Sequence, residues 1–246
     1  MQLTILGSGT LNSAHNRNPA GYLINADQKL ALLDCGPGIL KQLCSINISV
    51  MDIENIFLSH FHLDHCADVF PLLLKRYLLD KKANRALKIV GPQGLKHWYN
   101  TLAGLQGSWL HESPPQLHEL DNSPVTWTNL QFDSIQTRHS ESSVAYRISA
   151  EKSFFYSGDT GYFEPLIDFA KNVDYGLIEC SMPDTQPCEG HLTRSECARL
   201  AQKAEIKVLI ATHIYAQNDT ADFARDLEKN FSGEVIIARD FMEFEI

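Results

Sequence analysis

The sequence predicts an α+β fold in which two mixed β-sheets pack together and helices cover their outer faces. Three observations point there. Short apolar runs of strand length recur in both halves of the chain, and segments with helical apolar spacing alternate with them. The groups able to carry chemistry follow directly after such runs, where active sites of layered α/β proteins collect. With 246 residues and no low-complexity linker, residues 1–246 read as a single domain able to bury a substantial core.

The elements follow in order. Leu3 to Leu6 is a strand running into the glycine turn Gly7-Ser8-Gly9-Thr10. A dinucleotide-binding reading fails, because the third glycine is missing and Asn12 to Pro19 is loop-like, not a helix start. His15, in that stretch, reads as an exposed loop residue. Gly21 to Ala26 and Leu30 to Asp34 are strands about the polar turn Asp27-Gln28-Lys29, and Ile39 to Ser45 is a short helix. Ile53 to Leu58 is a buried strand, and Cys66 to Leu79 has helical spacing through Val69, Leu72, Leu73 and Tyr77. Lys88 to Val90 is a strand, with a helix from Gly91-Pro92 to near Leu105. His97, His111 and His118, on that helix and in the poorly periodic stretch after it, lack ligand spacing and read as structural or exposed. Strands then recur at Val125 to Trp127, Leu130 to Ile135, Val144 to Ile148 and Ser153 to Tyr156. Tyr162 to Ala170 is a helix, Tyr175 to Glu179 a strand, Thr193 to Ala204 a helix, Val208 to Ala211 a strand and Asp222 to Lys229 a helix. Val235 to Ala238 and Phe241 to Ile246 are the last strands.

Composition narrows the function classes. A 44% hydrophobic and 21% charged chain is ordinary for a soluble globular protein. No apolar run reaches about 18 residues, so no membrane span is expected. The start, Met1-Gln2-Leu3-Thr4-Ile5-Leu6-Gly7, lacks a basic segment and a long apolar core, which points to the cytoplasm. The six cysteines show no CxxC spacing and are expected reduced and mostly buried, Cys66 included. The net charge of −9 argues against a grip on long nucleic acid. Lys75-Arg76, Lys81-Lys82 and Arg85 form the nearest basic group, which a solvated helix face explains at least as well as a phosphate stripe.

The chemistry gathers in Ser59-His60-Phe61-His62-Leu63-Asp64-His65, immediately after a strand. One tight turn cannot aim three imidazoles and a carboxylate at a single tetrahedral ion without strain. It can divide them, His60 and His62 toward one metal and Asp64 and His65 toward a second. Imidazole with carboxylate and no thiolate suits Zn²⁺, with Mn²⁺ or Fe as alternatives.

His-x-His-x-Asp-His after a strand resembles the signature of the metallo-β-lactamase fold hydrolases, and the resemblance spans nearly the whole chain. His139 in Thr137-Arg138-His139-Ser140, Asp159 in Ser157-Gly158-Asp159-Thr160 and His213 in Ala211-Thr212-His213 follow in the family's order, each after a strand-like stretch. The resemblance implies a four-layer αββα sandwich holding two metal ions. His60, His62 and His139 would hold one, Asp64, His65 and His213 the other, and Asp159 would bridge them. It also places the Gly7-Ser8-Gly9 turn near the floor of the metal site, and gives Asp34 a place behind the cluster, hydrogen-bonded to a metal-binding imidazole. A plain turn carboxylate is an equally good reading of Asp34 from the residues alone.

Glu179 and His191 resemble the pair found in the ribonuclease Z branch, where the His gives a proton to the leaving oxygen or steadies phosphate charge and the Glu orients it. Asp64, His191 and Glu179 are accordingly the catalytic candidates. That enzyme also carries an arm between its lone His and bridging Asp that clasps transfer RNA. Here only 20 residues separate His139 from Asp159, enough for the hairpin Val144 to Tyr156. The expectation is a cytoplasmic di-zinc phosphodiesterase for a small phosphodiester or nucleotide, a hydroxide held between its metals making the attack. Transfer-RNA 3′ processing and hydrolysis of lactones, thioesters or β-lactams on the same metals are the alternatives. A homodimer is compatible with the sequence.

Overall fold

The computed structural model describes residues 1–13, 16–79, 87–121 and 123–246. His15 and the basic residues Lys81, Lys82 and Arg85 lie outside the described residues. The first sheet contains β1 (Gln2–Gly7), β2 (Gly21–Ala26), β3 (Lys29–Leu33), β4 (Ile53–Phe57), β5 (Lys88–Gly91), β6 (Gln116–Glu119) and β14 (Glu243–Glu245), in the order β14-β1-β2-β3-β4-β5-β6. The second contains β7 (Val125–Trp127), β8 (Leu130–Gln136), β9 (Val144–Ser149), β10 (Ser153–Tyr156), β11 (Tyr175–Glu179), β12 (Val208–Thr212) and β13 (Glu234–Ile237), in the order β13-β12-β11-β10-β9-β8-β7. Helices α1 (Ile39–Ser45), α3 (Val69–Leu79) and α4 (Leu95–Gln106) cover the first sheet, with two short helices, α2 (Leu63–Cys66) and α5 (Trp109–Glu112), beside them. Helices α6 (Glu164–Phe169), α7 (Arg194–Lys203) and α8 (Phe223–Glu228) cover the second. This is the αββα sandwich.

Strand alternation divides the interior into three apolar layers. On β10, Phe154 and Tyr156 point into the core between the sheets, while Phe155 points outward under the helices. Phe57 of β4 likewise enters the central core and stacks on Phe132 of β8 (ring centroids 3.9 Å), whereas Ile56 faces the helices on its own side. Each sheet is thus covered on both faces, which is why most strands read as continuous apolar runs.

The two sheets share one pairing pattern. From β14 to β3 and from β7 to β10 neighbours are antiparallel; from β3 to β6 and from β10 to β13 they are parallel. Strands β3 and β4 therefore point one way together, as do β8, β10, β11 and β12. Their C-terminal ends carry Asp34, residues 59–65, His139, Asp159, Glu179 and His213.

Three phenol groups cross between the sheets beneath these ends. Tyr22 of β2 meets Thr212 Oγ1 at 2.9 Å, Tyr146 of β9 donates to the Leu58 carbonyl at 2.7 Å, and Tyr156 of β10 donates to Asp34 Oδ2 at 2.5 Å. Burial pushes all three hydroxyls well above the ordinary tyrosine value, so they stay protonated. The glycine turn after β1 is fixed between the sheets as well. Asp240 accepts from Ser8 N and Oγ (3.0 and 2.7 Å), and the buried Arg17 donates to Ser8 Oγ at 2.9 Å and to Asp219 at 2.8 Å.

Four readings change. The helix from Cys66 is interrupted at Asp68, whose amide leaves the helical ladder to donate to the Cys35 carbonyl at 3.0 Å while its carboxylate accepts from Leu40 N at 3.0 Å at the start of α1. The helix expected from Gly91-Pro92 begins at Leu95, after Gly94 adopts a left-handed φ of 94°. A short strand, β6, lies in the stretch that showed no period; it pairs only with β5 and is half-exposed. Arg76 belongs to neither a phosphate stripe nor a solvated face: it is buried and donates to the carbonyls of Val50 and Ile53.

A hydrogen bond to a buried carboxylate contributes more than one between neutral groups, about 1.5–3 against 0.5–1.5 kcal/mol. Replacing Tyr156 by Phe is therefore expected to lower the free energy of unfolding by about 1.5–3 kcal/mol, and Tyr22→Phe by less. Urea unfolding of the two variants ranks them; equal midpoints would remove the special weight given to Asp34.

Candidate metal centre

Asp34 sits under the histidine turn, fully buried, at φ 56°. Its Oδ1 accepts from Ser59 N at 2.7 Å; its Oδ2 accepts from Ser59 Oγ and His65 Nδ1, each at 2.7 Å, and from the Tyr156 hydroxyl. The turn is further held from below. Cys35 N donates to the His65 carbonyl at 2.7 Å, and a β-carbon on Gly36 would lie 2.0 Å from the Asp64 carbonyl, so only glycine fits there. The Cys66 thiol turns back to the carbonyls of Phe61 and His62 (3.3 and 3.1 Å). Burial pushes it up to about 12, so Cys66 is the packed thiol the sequence suggested.

The other groups converge on this turn. His60, His62 and His139 present ring nitrogens within 4.8 Å of one another, as do the ligand atoms of Asp64, His65 and His213. Asp159 lies between the two groups. Its Oδ2 is 3.8 Å from His60 Nε2 and 3.6 Å from His139 Nε2; its Oδ1 is 3.3 Å from His65 Nε2 and 3.4 Å from His213 Nε2. Asp64 Oδ2 stands 3.4 Å from His213 Nε2. Asp159 can approach this closely because residue 158 is glycine, at φ 53°, where a β-carbon would press on the Val144 carbonyl and the Ser59 side chain at 2.8 and 2.9 Å. His213 is itself left-handed, at φ 55°, an uncommon conformation for a residue with a side chain.

Hydrogen bonds decide which ring nitrogens carry protons. Ser59 Oγ gives its one proton to Asp34, so at 2.9 Å it must accept from His60 Nδ1. His65 Nδ1 faces Asp34, and His139 Nδ1 is 2.9 Å from the Gly190 carbonyl, which can only accept. In a neutral ring, each of these three then turns an unprotonated Nε2 inward. His65 and His213 bring Nε2 to Nε2 at 3.1 Å, and His139 Nε2 meets His62 Nδ1 at 2.9 Å. Among the described residues, His60 Nε2 and Asp159 Oδ1 are buried without any hydrogen-bond partner. Facing lone pairs and orphaned acceptors are what cations would satisfy, so the donor set fits metal binding.

Burial, with His65 alongside, keeps the His60 imidazole well below its usual value. Burial, helped by the neighbouring His191 and opposed by Asp159, lowers His139. Burial works against a charged Asp159, but His213 and His65 outweigh it and hold that carboxyl well below the ordinary range; the nearness of His213 and His65 does the same for Asp64. For His65 the order reverses, since Asp159 and Asp34 overcome burial and raise it.

Glu179 and His191 stand at the rim of this cluster. Glu179 accepts from Thr160 N at 2.6 Å and Leu192 N at 3.2 Å, and its Oε1 is 3.1 Å from His191 Nδ1. His191 Nδ1 is 4.0 Å from Asp159 Oδ2. Two residues later Thr193 caps α7 in a reciprocal box with Glu196, which fixes the segment carrying His191. Burial would depress His191, but Glu179 reverses that and carries it up to about 9. The glycine turn packs where expected, with the Ser8 carbonyl accepting from Ile214 N, next to His213. Sequence reasoning missed Ser59, Ser181, Tyr156 and the Gly190 carbonyl as supports; Ser59 and Gly190 adjoin His60 and His191, Ser181 lies two residues beyond Glu179, and Tyr156 ends the strand before Asp159.

Comparison with known proteins places the whole chain beside metallo-hydrolases. Ribonuclease Z of Methanosarcina acetivorans is 26% identical over 305 aligned positions, covering 100% of this chain and 98% of the archaeal protein. The probable metallo-hydrolase YhfI of Bacillus subtilis is 25% identical over 251 positions, covering 100% of both chains. Its crystal structure, titled a metallo-β-lactamase fold protein, superposes with a TM-score of 0.89 at 24% identity, covering 100% of this chain and 99% of that one. The short form of human tRNase Z gives a TM-score of 0.79 at 20% identity, covering 100% and 99%. The model of the Anti-Pycsar protein Apyc1 family matches residues 1–233. The chain is a metal-dependent hydrolase with the metallo-β-lactamase fold, and it belongs to the Anti-Pycsar protein Apyc1 family.

Proposed function

We propose that this protein is a di-zinc phosphodiesterase acting on a small phosphodiester, a cyclic nucleotide or another nucleotide diester. The observation that carries the reading is the junction of two features. Paired clusters of inward-facing ring nitrogens share Asp159, and a Glu179-held imidazole stands beside the same carboxylate. Imidazole and carboxylate donors without thiolate favour Zn²⁺. His60, His62 and His139 would hold one ion, Asp64, His65 and His213 the second, with one oxygen of Asp159 toward each. Because these side chains come from both sheets, residues 1–246 would work as one domain. Ions bound there would activate water and draw charge from the phosphoryl oxygens.

The chain's own residues supply the rest. With Nδ1 engaged by Glu179, the other nitrogen of His191 is free to hand a proton to the departing oxygen as its bond to phosphorus breaks. Glu179 orients that imidazole and keeps it charged at neutral pH, so that it can also steady the substrate's negative charge. Asp34 and the Gly190 carbonyl hold His65 and His139 in the orientation that binding requires.

Size favours a small substrate. The β9–β10 hairpin fills the interval from His139 to Asp159, and its turn at Ala150 to Lys152 lies at the end of the sheet away from the site. Ribonuclease Z aligns over 305 positions against 246 residues here, so the archaeal enzyme carries additional segments, whereas YhfI aligns over 251.

Zinc-loaded protein is expected to contain two ions per chain and to cleave bis(p-nitrophenyl) phosphate. His191→Ala should lower kcat by roughly 10²–10⁴ with metal content unchanged, and Asp159→Ala should lose metal; an unimpaired His191→Ala enzyme would sink the proton-donor assignment. Activity should decline as pH climbs through about 9, where His191 gives up its proton, and that decline should vanish in His191→Ala. Among substrates, cyclic nucleotides should be hydrolysed in preference to a transfer-RNA precursor; efficient precursor cleavage, or turnover of lactones and thioesters alone, would overturn the substrate class.

A further inference from the structure

Two buried carboxylates are wired alike. Asp34 binds Ser59, which holds His60, and directly binds His65. Glu179 binds Ser181, which holds His213, and directly binds His191. Each carboxylate thus carries one serine and two imidazoles, one reached through the serine and one without it. Ser59 and Ser181 are both fully buried, so neither hydroxyl has water as a substitute partner.

The direction of the second chain follows from counting protons. Ser181 has a single proton and its shortest contact is to Glu179 Oε2, an acceptor. Its other contacts are the Nδ1 of His213 at 3.0 Å, the His213 carbonyl at 3.2 Å and His191 Nδ1 at 3.4 Å. With the proton committed to Glu179, the serine oxygen can only accept from His213, which fixes the proton of that ring on Nδ1. The nitrogen left bare is Nε2, the one that faces Asp64, His65 and Asp159. Among the described residues no other hydrogen bond reaches His213 Nδ1, so without Ser181 the ring is free to place its proton on Nε2, where it blocks a cation.

We propose that Ser181 is a positioning residue that selects the metal-facing nitrogen of His213 and ties that ligand, through Glu179, to the proton donor His191. This rests on the di-metal reading above and adds that each ion has its own serine, Ser59 on the His60 side and Ser181 on the His213 side. The residue acts through its neighbours and not on substrate.

The test uses zinc and no substrate. In zinc-loaded protein carrying ¹⁵N-histidine, His213 should show a protonated Nδ1 and a ligating Nε2. Ser181→Ala should weaken one of the two zinc sites 10- to 100-fold in chelator competition, the range seen when hydrogen-bond partners of metal ligands are removed, and the His213 Nδ1 proton should become exchange-labile. Ser181→Thr, which keeps the hydroxyl, should restore both signals, and Ser59→Ala should leave the His213 signature in place. Two wild-type zinc affinities in Ser181→Ala would overturn the inference while leaving the di-metal reading standing. A wild-type protein that takes up one ion or none would overturn both. Ligation of His213 through Nδ1 in the wild-type protein would overturn it without any variant, so a poorly folding Ser181→Ala does not protect it.

Discussion

The structure depends on one buried negative charge. Asp34 lies out of water between the sheets, and among the described residues no lysine or arginine pairs with it; four donors from three segments do so instead. Leaving a carboxylate in that position without them would be far more costly than any single contact is favourable. The donors are therefore constrained to arrive together. Ser59 brings the end of β4, His65 brings the first turn of α2, and Tyr156 brings the second sheet. Packing the core and aiming the histidines are consequently one event, since the same carboxylate demands both. Its left-handed backbone is the local strain that this set of bonds holds in place.

The shared pairing pattern explains why the chemistry collects along one edge. In each sheet, antiparallel pairing gives way to parallel pairing at one strand, β3 in the first and β10 in the second. A crevice opens where connections leave such a strand in opposite directions. Asp34 ends β3 and Asp159 follows β10, so the two switch points face each other across the sandwich. The carboxylate at one is sunk below the histidines as a support. The carboxylate at the other stands among them, with one oxygen for each cluster.

Much of this could be read from residues. The strand at Tyr175–Glu179 and the helix at Ile39–Ser45 were visible because apolar runs of the right length end in polar or glycine-rich breaks. The histidine turn was visible because its groups are adjacent in sequence, and Asp159 and His213 because each follows a strand-like stretch. What the chain conceals is long-range. Asp68 looks like an ordinary helical residue until the Cys35 carbonyl takes its amide and α1 meets its carboxylate, so the break between α2 and α3 has no local signal. Strand β6 has one neighbour and little burial, leaving a weak pattern. Arg76 reads as surface charge because its carbonyl partners at Val50 and Ile53 are more than twenty residues away. Serines such as Ser181 are anonymous by type, and only contact with Glu179 and His213 gives that hydroxyl a role.

The hydroxyls of Tyr22, Tyr146 and Tyr156 form a layer just under the polar edge, with hydrocarbon packed below them. Each ring buries its carbon body in the apolar interior and makes its hydroxyl's hydrogen bond to the opposite sheet. The layer acts as a seal, satisfying polar groups at the boundary so that solvent reaching the crevice finds no open path downward. A hydrolase that draws water to its mouth can in this way keep a dry interior only one side chain deeper.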